Sequence, residues 1–145
     1  MMDSRVEKLA RVLVRFQPDD NVLIEATNGA GMLVRALIRE VYAAGGRPFV
    51  QLRDSTVERE LAMGYTPEQL ALRADADAML MEKMDAYIGF SAPDNASELS
   101  DVPPEKMSLY ASDYSRRVHG QIRVPRTRWC VLRYPTPGFA QAAGM

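Results

Sequence analysis

A short apolar run, Val22-Leu23-Ile24, leads into the turn Thr27-Asn28-Gly29-Ala30-Gly31, then into an amphipathic pattern that stops at Gly45-Gly46, after which a second apolar run begins. The first run is too short for a helix and shows no period-2 alternation, which suits a strand buried on both faces of a parallel sheet. Leu33, Leu37, Val41 and Ala44 recur at helical spacing with Arg35 and Arg39 outside the stripe, and the glycine pair is the expected helix stop. With Pro48 to Leu52 as the second strand, the stretch from Asn21 to Leu52 reads as one β-α-β unit. A right-handed crossover puts both strands in one parallel sheet and the Asn28-Gly29 turn at the carboxyl end of the first. Ligands of open α/β sheets bind along that edge.

Further elements follow the same grammar. Ser4-Arg5-Val6-Glu7 has the form of a capping box ahead of Leu9, Ala10, Leu13 and Val14, so a helix is expected there, ended by Pro18-Asp19-Asp20. Ser55-Thr56-Val57-Glu58 reads as a second capping box for a helix that fades at Gly64. Thr66 as N-cap, Pro67 at the first helical position and Gln69 at the third open another helix, expected to run to about Met84. Asp85 then introduces the strand Ala86 to Phe90, and Ser91-Ala92-Pro93-Asp94-Asn95 is a loop at its carboxyl end. A helix starting near Pro103-Pro104-Glu105 is expected to continue toward Val118. Trp129-Cys130-Val131-Leu132 reads as a fourth strand. Thr136-Pro137 is one more helix start, with about two turns of sequence after it, and the expectation is that the natural polypeptide continues. The 145 residues make one three-layer α/β/α domain, residues 1–145, with a mostly parallel sheet of about four strands.

Composition excludes several classes. With 47% hydrophobic and 26% charged residues the chain is globular rather than disordered, and it has no apolar run of about 18 residues to span a membrane. Asp3, Arg5, Glu7 and Lys8 near the start are unlike a signal peptide, so a cytoplasmic location is expected. The single cysteine, Cys130, sits in an apolar run and reads as a buried small hydrophobe. Charge is uneven. From Tyr114 onward there are six arginines and no Asp or Glu, which leaves residues 1–113 with twelve basic against nineteen acidic side chains, a net −7. Something anionic should face the arginine-rich end: a neighbouring domain or subunit, a nucleic acid, or the acidic part of the same domain. With net charge −1 overall, and Trp129 and Tyr134 expected in the core, a nucleic-acid role is not favoured.

Catalytic constellations are scarce. The turn Asn28 to Gly31 has the character of a phosphate-binding loop, yet it lacks both the dinucleotide fingerprint and the lysine-bearing phosphate loop, and a tight strand-to-helix turn needs such residues anyway. The only histidine, His119, lies beside Arg116 and Arg117, which argues against a metal centre built from histidines. Glu58, Glu60, Glu68, Asp75, Asp77, Glu82 and Asp85 fall on expected helices or their ends and read as a solvated face. Cys130 has one histidine as a possible base, eleven positions away, and no serine sits in a nucleophile elbow.

Three stretches together carry a resemblance: Leu33-Val34-Arg35-Ala36-Leu37 followed by Gly45-Gly46-Arg47-Pro48; Asp85-Ala86-Tyr87-Ile88 with Ala92-Pro93-Asp94-Asn95; and Arg128-Trp129-Cys130 through Tyr134-Pro135-Thr136-Pro137 to Ala140-Gln141-Ala142-Ala143-Gly144-Met145. In order and spacing the chain resembles the amino-terminal domain of the thermophilic metallo-aminopeptidases, the aminopeptidase T and aminopeptidase S group. The resemblance implies a cytoplasmic, dimeric exopeptidase that removes amino-terminal residues from peptides with two divalent metal ions, zinc or cobalt. It also implies that the ligands for those ions, a set of Glu, His, Tyr and Asp side chains, belong to a carboxy-terminal catalytic domain and map to none of these residues. On that reading this segment is inactive alone, walls the active-site cavity and packs on the catalytic domain. Asn28, Asp94, Asn95, Arg116, Arg126 and Arg128 are then the candidates for the cavity or the domain interface. The alternative is a stand-alone α/β module binding a nucleotide or another anionic small molecule through the Asn28 to Gly31 turn.

Overall fold

The structure is a computed structural model that describes residues 15–29, 31–91 and 101–133. The expected helix over Ser4 to Val14, the loop from Ala92 to Asn95 and the helix at Thr136 lie outside the described residues. Four strands form one parallel sheet: β1 (Asn21–Thr27), β2 (Arg47–Arg53), β3 (Ala86–Ser91) and β4 (Arg128–Arg133), in the order β2-β1-β3-β4. In register, Ile24 lies beside Val50 and Ile88, and Ile88 beside Cys130. The β-α-β unit is as expected, and Val22, Leu23 and Ile24 are all buried, as a strand covered on both faces requires.

Helix α1 (Gly31–Ala43) ends in a Schellman arrangement. Gly45 takes φ +86°, its N–H donates to the Tyr42 carbonyl, and the Gly46 N–H donates to the Val41 carbonyl. A side chain at Gly46 would press on the Asp20 carbonyl and on Val41 Cγ1, each 3.0 Å from a built Cβ. The pair therefore both stops the helix and allows the close approach that starts β2.

Helices α2 (Ser55–Met63) and α3 (Pro67–Glu82) follow. Thr66 caps α3 as expected: its hydroxyl accepts from the Gln69 N–H at 3.1 Å while the Gln69 side chain accepts from the Thr66 N–H at 3.3 Å. The cap of α2 differs from expectation. It is Asp54 and not Ser55, because Asp54 has extended backbone and its Oδ1 accepts from the Thr56 and Val57 N–H groups, at 2.8 and 3.2 Å. The Ser55 N–H is used elsewhere, on Asn28 Oδ1 at 2.8 Å. The fourth helix is longer than expected. Helix α4 (Pro104–Tyr110) runs on through π-helical turns over Ala111–Arg123, in which the Val124 N–H reaches back five residues to the His119 carbonyl, and closes with Val124–Arg126. Pro125 thus sits in its last turn and does not end it early.

Parallel pairing gives the sheet two unlike faces. Val22, Ile24, Ala26, Ala86, Ile88, Phe90 and Cys130 form one face, packed on Leu33, Val34, Leu37 and Val41 of α1. On the other face Leu23 and Tyr87 meet Leu70, Ala74, Ala78 and Met81 of α3 and Tyr114, Val118 and Ile122 of the π-helical stretch. That gives three layers, with α1 the helix on one side among the described residues. The second face turns polar toward the carboxyl ends of the strands, where Glu25, Thr27 and Arg53 follow.

Candidate functional site

The polar half of the second face roofs a cavity of about 480 Å³, closed by α2, by the long fourth helix and by Tyr65. Four tyrosines, Tyr65, Tyr87, Tyr110 and Tyr114, line it, and Tyr110 stacks on both Tyr65 and Tyr114, at centroid distances of 5.5 and 5.0 Å. The strand order reverses direction at β1, since β2 lies on one side of it and β3 on the other, and the cavity spans β1 and β3 at that switch point.

Around the cavity three carboxylates and three guanidiniums form one network. Glu25 Oε2 accepts from Arg53 Nε at 2.8 Å, and Glu25 Oε1 accepts from the Tyr87 hydroxyl at 2.6 Å. Glu58 accepts from Arg73 Nη2 at 2.7 Å and lies 3.6 Å from Arg53. Asp77 accepts from the Tyr114 hydroxyl and lies 3.6 Å from Arg53. The third guanidinium, Arg123, rests on the Tyr87 ring with its central carbon 3.7 Å from the centroid. The six charges balance in number, which lowers the cost of this partly buried set, but they do not pair off one by one: among the described residues Arg123 has no carboxylate within hydrogen-bond range.

Burial and these contacts shift the titration of Glu25, His119 and the cavity tyrosines. Burial alone would raise the Glu25 carboxyl, but the hydrogen bonds from Tyr87 and Arg53, with the charges of Arg53 and Arg123, hold it below the usual carboxylate range. Burial and the neighbouring Glu25 charge push the Tyr87 phenol far above its ordinary value. Burial, then the bond to Asp77, does the same to Tyr114, and burial pushes Tyr110 up to about 12. Burial and the charge of Arg123 lower His119, so the imidazole is neutral near pH 7. Its Nδ1 lies 3.2 Å from Arg123 Nη1, and since a guanidinium only donates, Nδ1 accepts and Nε2 carries the proton. A carboxylate this well satisfied is a weak base, and these phenols are weak acids. Burial also raises the Cys130 thiol, on the opposite face of the sheet. These states suit the groups to hydrogen bonding within the network more than to exchanging protons near neutral pH.

Nor do these residues fit a metal. Among the described residues no three His, Cys, Asp or Glu side chains are grouped to hold an ion. Glu25, Glu58 and Asp77, the carboxylates nearest the cavity, already receive guanidinium or phenol donors.

Several sequence expectations change here. Glu58 and Asp77 are not part of a solvated face: both side chains are about one-fifth exposed and belong to the network, because α2 and α3 turn them toward Arg53 and Arg73. Trp129 is not in the core; it is 43% exposed, and its ring meets His119 edge-on at 5.6 Å. Asn28, at φ +65°, ties the turn after β1 to α2: its Nδ2 donates to Ser55 Oγ at 2.7 Å, and its backbone N–H donates to the Arg53 carbonyl at 3.0 Å. Those atoms serve the turn, and the Ser55 partner lines the cavity. Arg116 and Arg126 are exposed. Arg128 lies at the amino end of β4, where it pairs with the buried Asp20 and donates to the Arg15 carbonyl. Asp94 and Asn95 lie outside the described residues. The arginine-rich end is thus partly answered from within the domain, by Arg117 with Asp75, Arg123 near Glu25 and Arg128 with Asp20. Sequence reasoning passed over Glu25 and Arg53, and took Arg123 only as one of the six arginines of the basic end. The signal for them was Glu25 itself, a charged residue in an otherwise apolar strand, which had to find a cation nearby.

Among curated proteins the chain is similar to Aminopeptidase 2 of Geobacillus stearothermophilus, 26% identical over 148 residues, which cover 97% of this chain and 36% of that protein. Among solved structures it is similar to wild-type AmpT from Thermus thermophilus, with a TM-score of 0.70 and 24% identity over 96% of this chain and 38% of that one. The chain therefore spans just over a third of the length of these two proteins. Neither comparison supports the stand-alone nucleotide-binding alternative. A family model described as thermophilic metalloprotease (M29) matches residues 2–144, and the chain belongs to that family.

Proposed function

We propose that this chain is the amino-terminal, non-catalytic domain of a cytoplasmic, metal-dependent aminopeptidase that removes amino-terminal residues from peptides. The observation that carries the reading is the family match over residues 2–144. The pairing of Glu25, Glu58 and Asp77 with arginine and tyrosine donors supports it, because it is the arrangement of a structural network. In this reading two divalent ions, zinc or cobalt, are bound by a carboxy-terminal catalytic domain and supply the Lewis acidity for peptide hydrolysis. The residues of this chain wall the active-site cavity and pack on that domain, and the whole protein is a homodimer. No helix among the described residues is long and apolar enough to cross a membrane.

Surface chemistry supports a packing role. Leu52, at 70% exposure, stands with Val57 and Leu61 around a shallow pocket between β2 and α2, an apolar area suited to burial against a neighbouring domain. Arg116 and Arg126 are available to acidic groups on such a partner. The test is the mass of the native polypeptide, found with an antibody to these residues, together with its hydrolysis of leucine anilide with zinc or cobalt. A polypeptide much longer than 145 residues with metal-dependent activity supports the reading, and a native product of this length alone overturns it.

A further inference from the structure

We infer that the tyrosine-lined cavity is a binding site for a small organic carboxylate of amino-acid size, with Arg123 as its anchor. The argument is an imbalance inside the network. Each of the three carboxylates has a hydrogen-bond donor: Glu25 has Arg53 and Tyr87, Glu58 has Arg73, and Asp77 has Tyr114. Two of the three guanidiniums reciprocate, at 2.8 Å for Arg53 and 2.7 Å for Arg73. Arg123 does not. Its nearest carboxylate oxygen among the described residues is Glu25 Oε1 at 3.9 Å, beyond hydrogen-bond range, and its Nε is buried with no hydrogen-bond partner. Its side chain is only 12% exposed, so water does little for the charge. The contacts it has are the Tyr87 ring and His119 Nδ1, which leave most of its five N–H groups unused. A cation buried this deeply is costly without an anion, and Glu25 is already neutralised by Arg53.

The cavity offers room for that anion and for what is attached to it. Arg123 and His119 stand together in its wall, and the neutral imidazole presents Nε2–H as a second donor. Met107, Val118 and Val131 supply the apolar part of the lining. A guanidinium with an adjacent donor selects a planar carboxylate over a point anion, and about 480 Å³ holds a ligand of amino-acid size. The inference rests on the cavity alone and stands or falls separately from the peptidase reading.

The probes are 4-methylpentanoate and its uncharged amide, titrated calorimetrically into the full chain. The carboxylate should bind at one site with Kd of order 1 mM or tighter, a reasonable strength for eight non-hydrogen atoms, and the amide at least tenfold more weakly. Arg123→Gln should abolish the difference between acid and amide, Arg123→Lys should keep part of it, and Arg39→Gln, on the exposed side of α1, should leave it unchanged. Equal binding of acid and amide, absence of saturable binding, or acid binding that persists in Arg123→Gln would each overturn the assignment. The acid-against-amide comparison needs no substitution, so it decides the matter even if Arg123 variants fold poorly.

Discussion

The Tyr87 hydroxyl donates to Glu25 Oε1 at 2.6 Å, joining β3 to β1 across the second face of the sheet over 62 positions of sequence. The bond serves a charged acceptor in a partly buried place, a class worth about 1.5–3 kcal/mol. Tyr87→Phe should therefore lower stability by about 2 kcal/mol near neutral pH while leaving packing intact. Urea denaturation checks this, and a loss below about 0.5 kcal/mol, the range of neutral surface changes, would show that the bond is not made in solution.

Glu25 also fixes how the domain responds to acid. Its carboxyl is held below 4.5 in the fold, so the stability it contributes is complete above the unfolded value and is lost as pH falls through the folded one. Asp54, held low by Thr56 and the Val57 N–H, and Asp101, held low by Arg59, act in the same direction at the surface. Stability should fall below about pH 4.5. Glu25→Gln should be less stable at neutral pH yet lose less on acidification; a parallel acid profile in the variant would assign the acid sensitivity to other groups.

Gly89 makes the Tyr87 bond possible. The tyrosine ring lies along its own strand over Gly89, where an added Cβ would sit 2.8 Å from the ring Cε1 and overlap the hydroxyl. The ring has little freedom to move because Arg123 covers it at 3.7 Å. Gly89→Ala should cost about 1–3 kcal/mol as an overpacked site. Combined with Tyr87→Ala the cost should shrink, which a double-mutant cycle reads.

At the other end of the fold, Gly45 closes α1 with φ +86°. Gly45→Ala should lose about 1 kcal/mol, since a Cβ is disfavoured in the left-handed region. Gly31→Ala, with nothing within 4 Å of its added Cβ, is the matched control and should be near neutral. Thermal denaturation of both variants tests the contrast.

What the sequence made legible follows from the range of the interactions involved. The β-α-β unit, the Thr66 cap and the fourth strand rest on contacts within a few residues, or on an apolar run whose burial has one solution. The cap of α2 was misplaced by one residue because Asp54 and Ser55 are both good caps, and the tie between Ser55 and Asn28, 27 positions away, decided between them. The network was illegible for the same reason on a larger scale: Glu25, Arg53, Glu58, Asp77 and Arg123 come from five elements, and only the strand order brings them together. Trp129 was assigned to the core on residue type, but β4 is an edge of the described sheet and leaves that ring partly open.

The proposed division of labour between this domain and a carboxy-terminal catalytic domain is tested most directly by hydrolysis of leucine anilide by the purified 145-residue chain, with zinc or cobalt added, beside the native polypeptide. The account predicts metal-dependent turnover, lost with a chelator, for the native polypeptide and none for the chain alone. Chelator-sensitive turnover by these 145 residues would contradict it, since among the described residues no three His, Cys, Asp or Glu side chains are grouped to hold an ion.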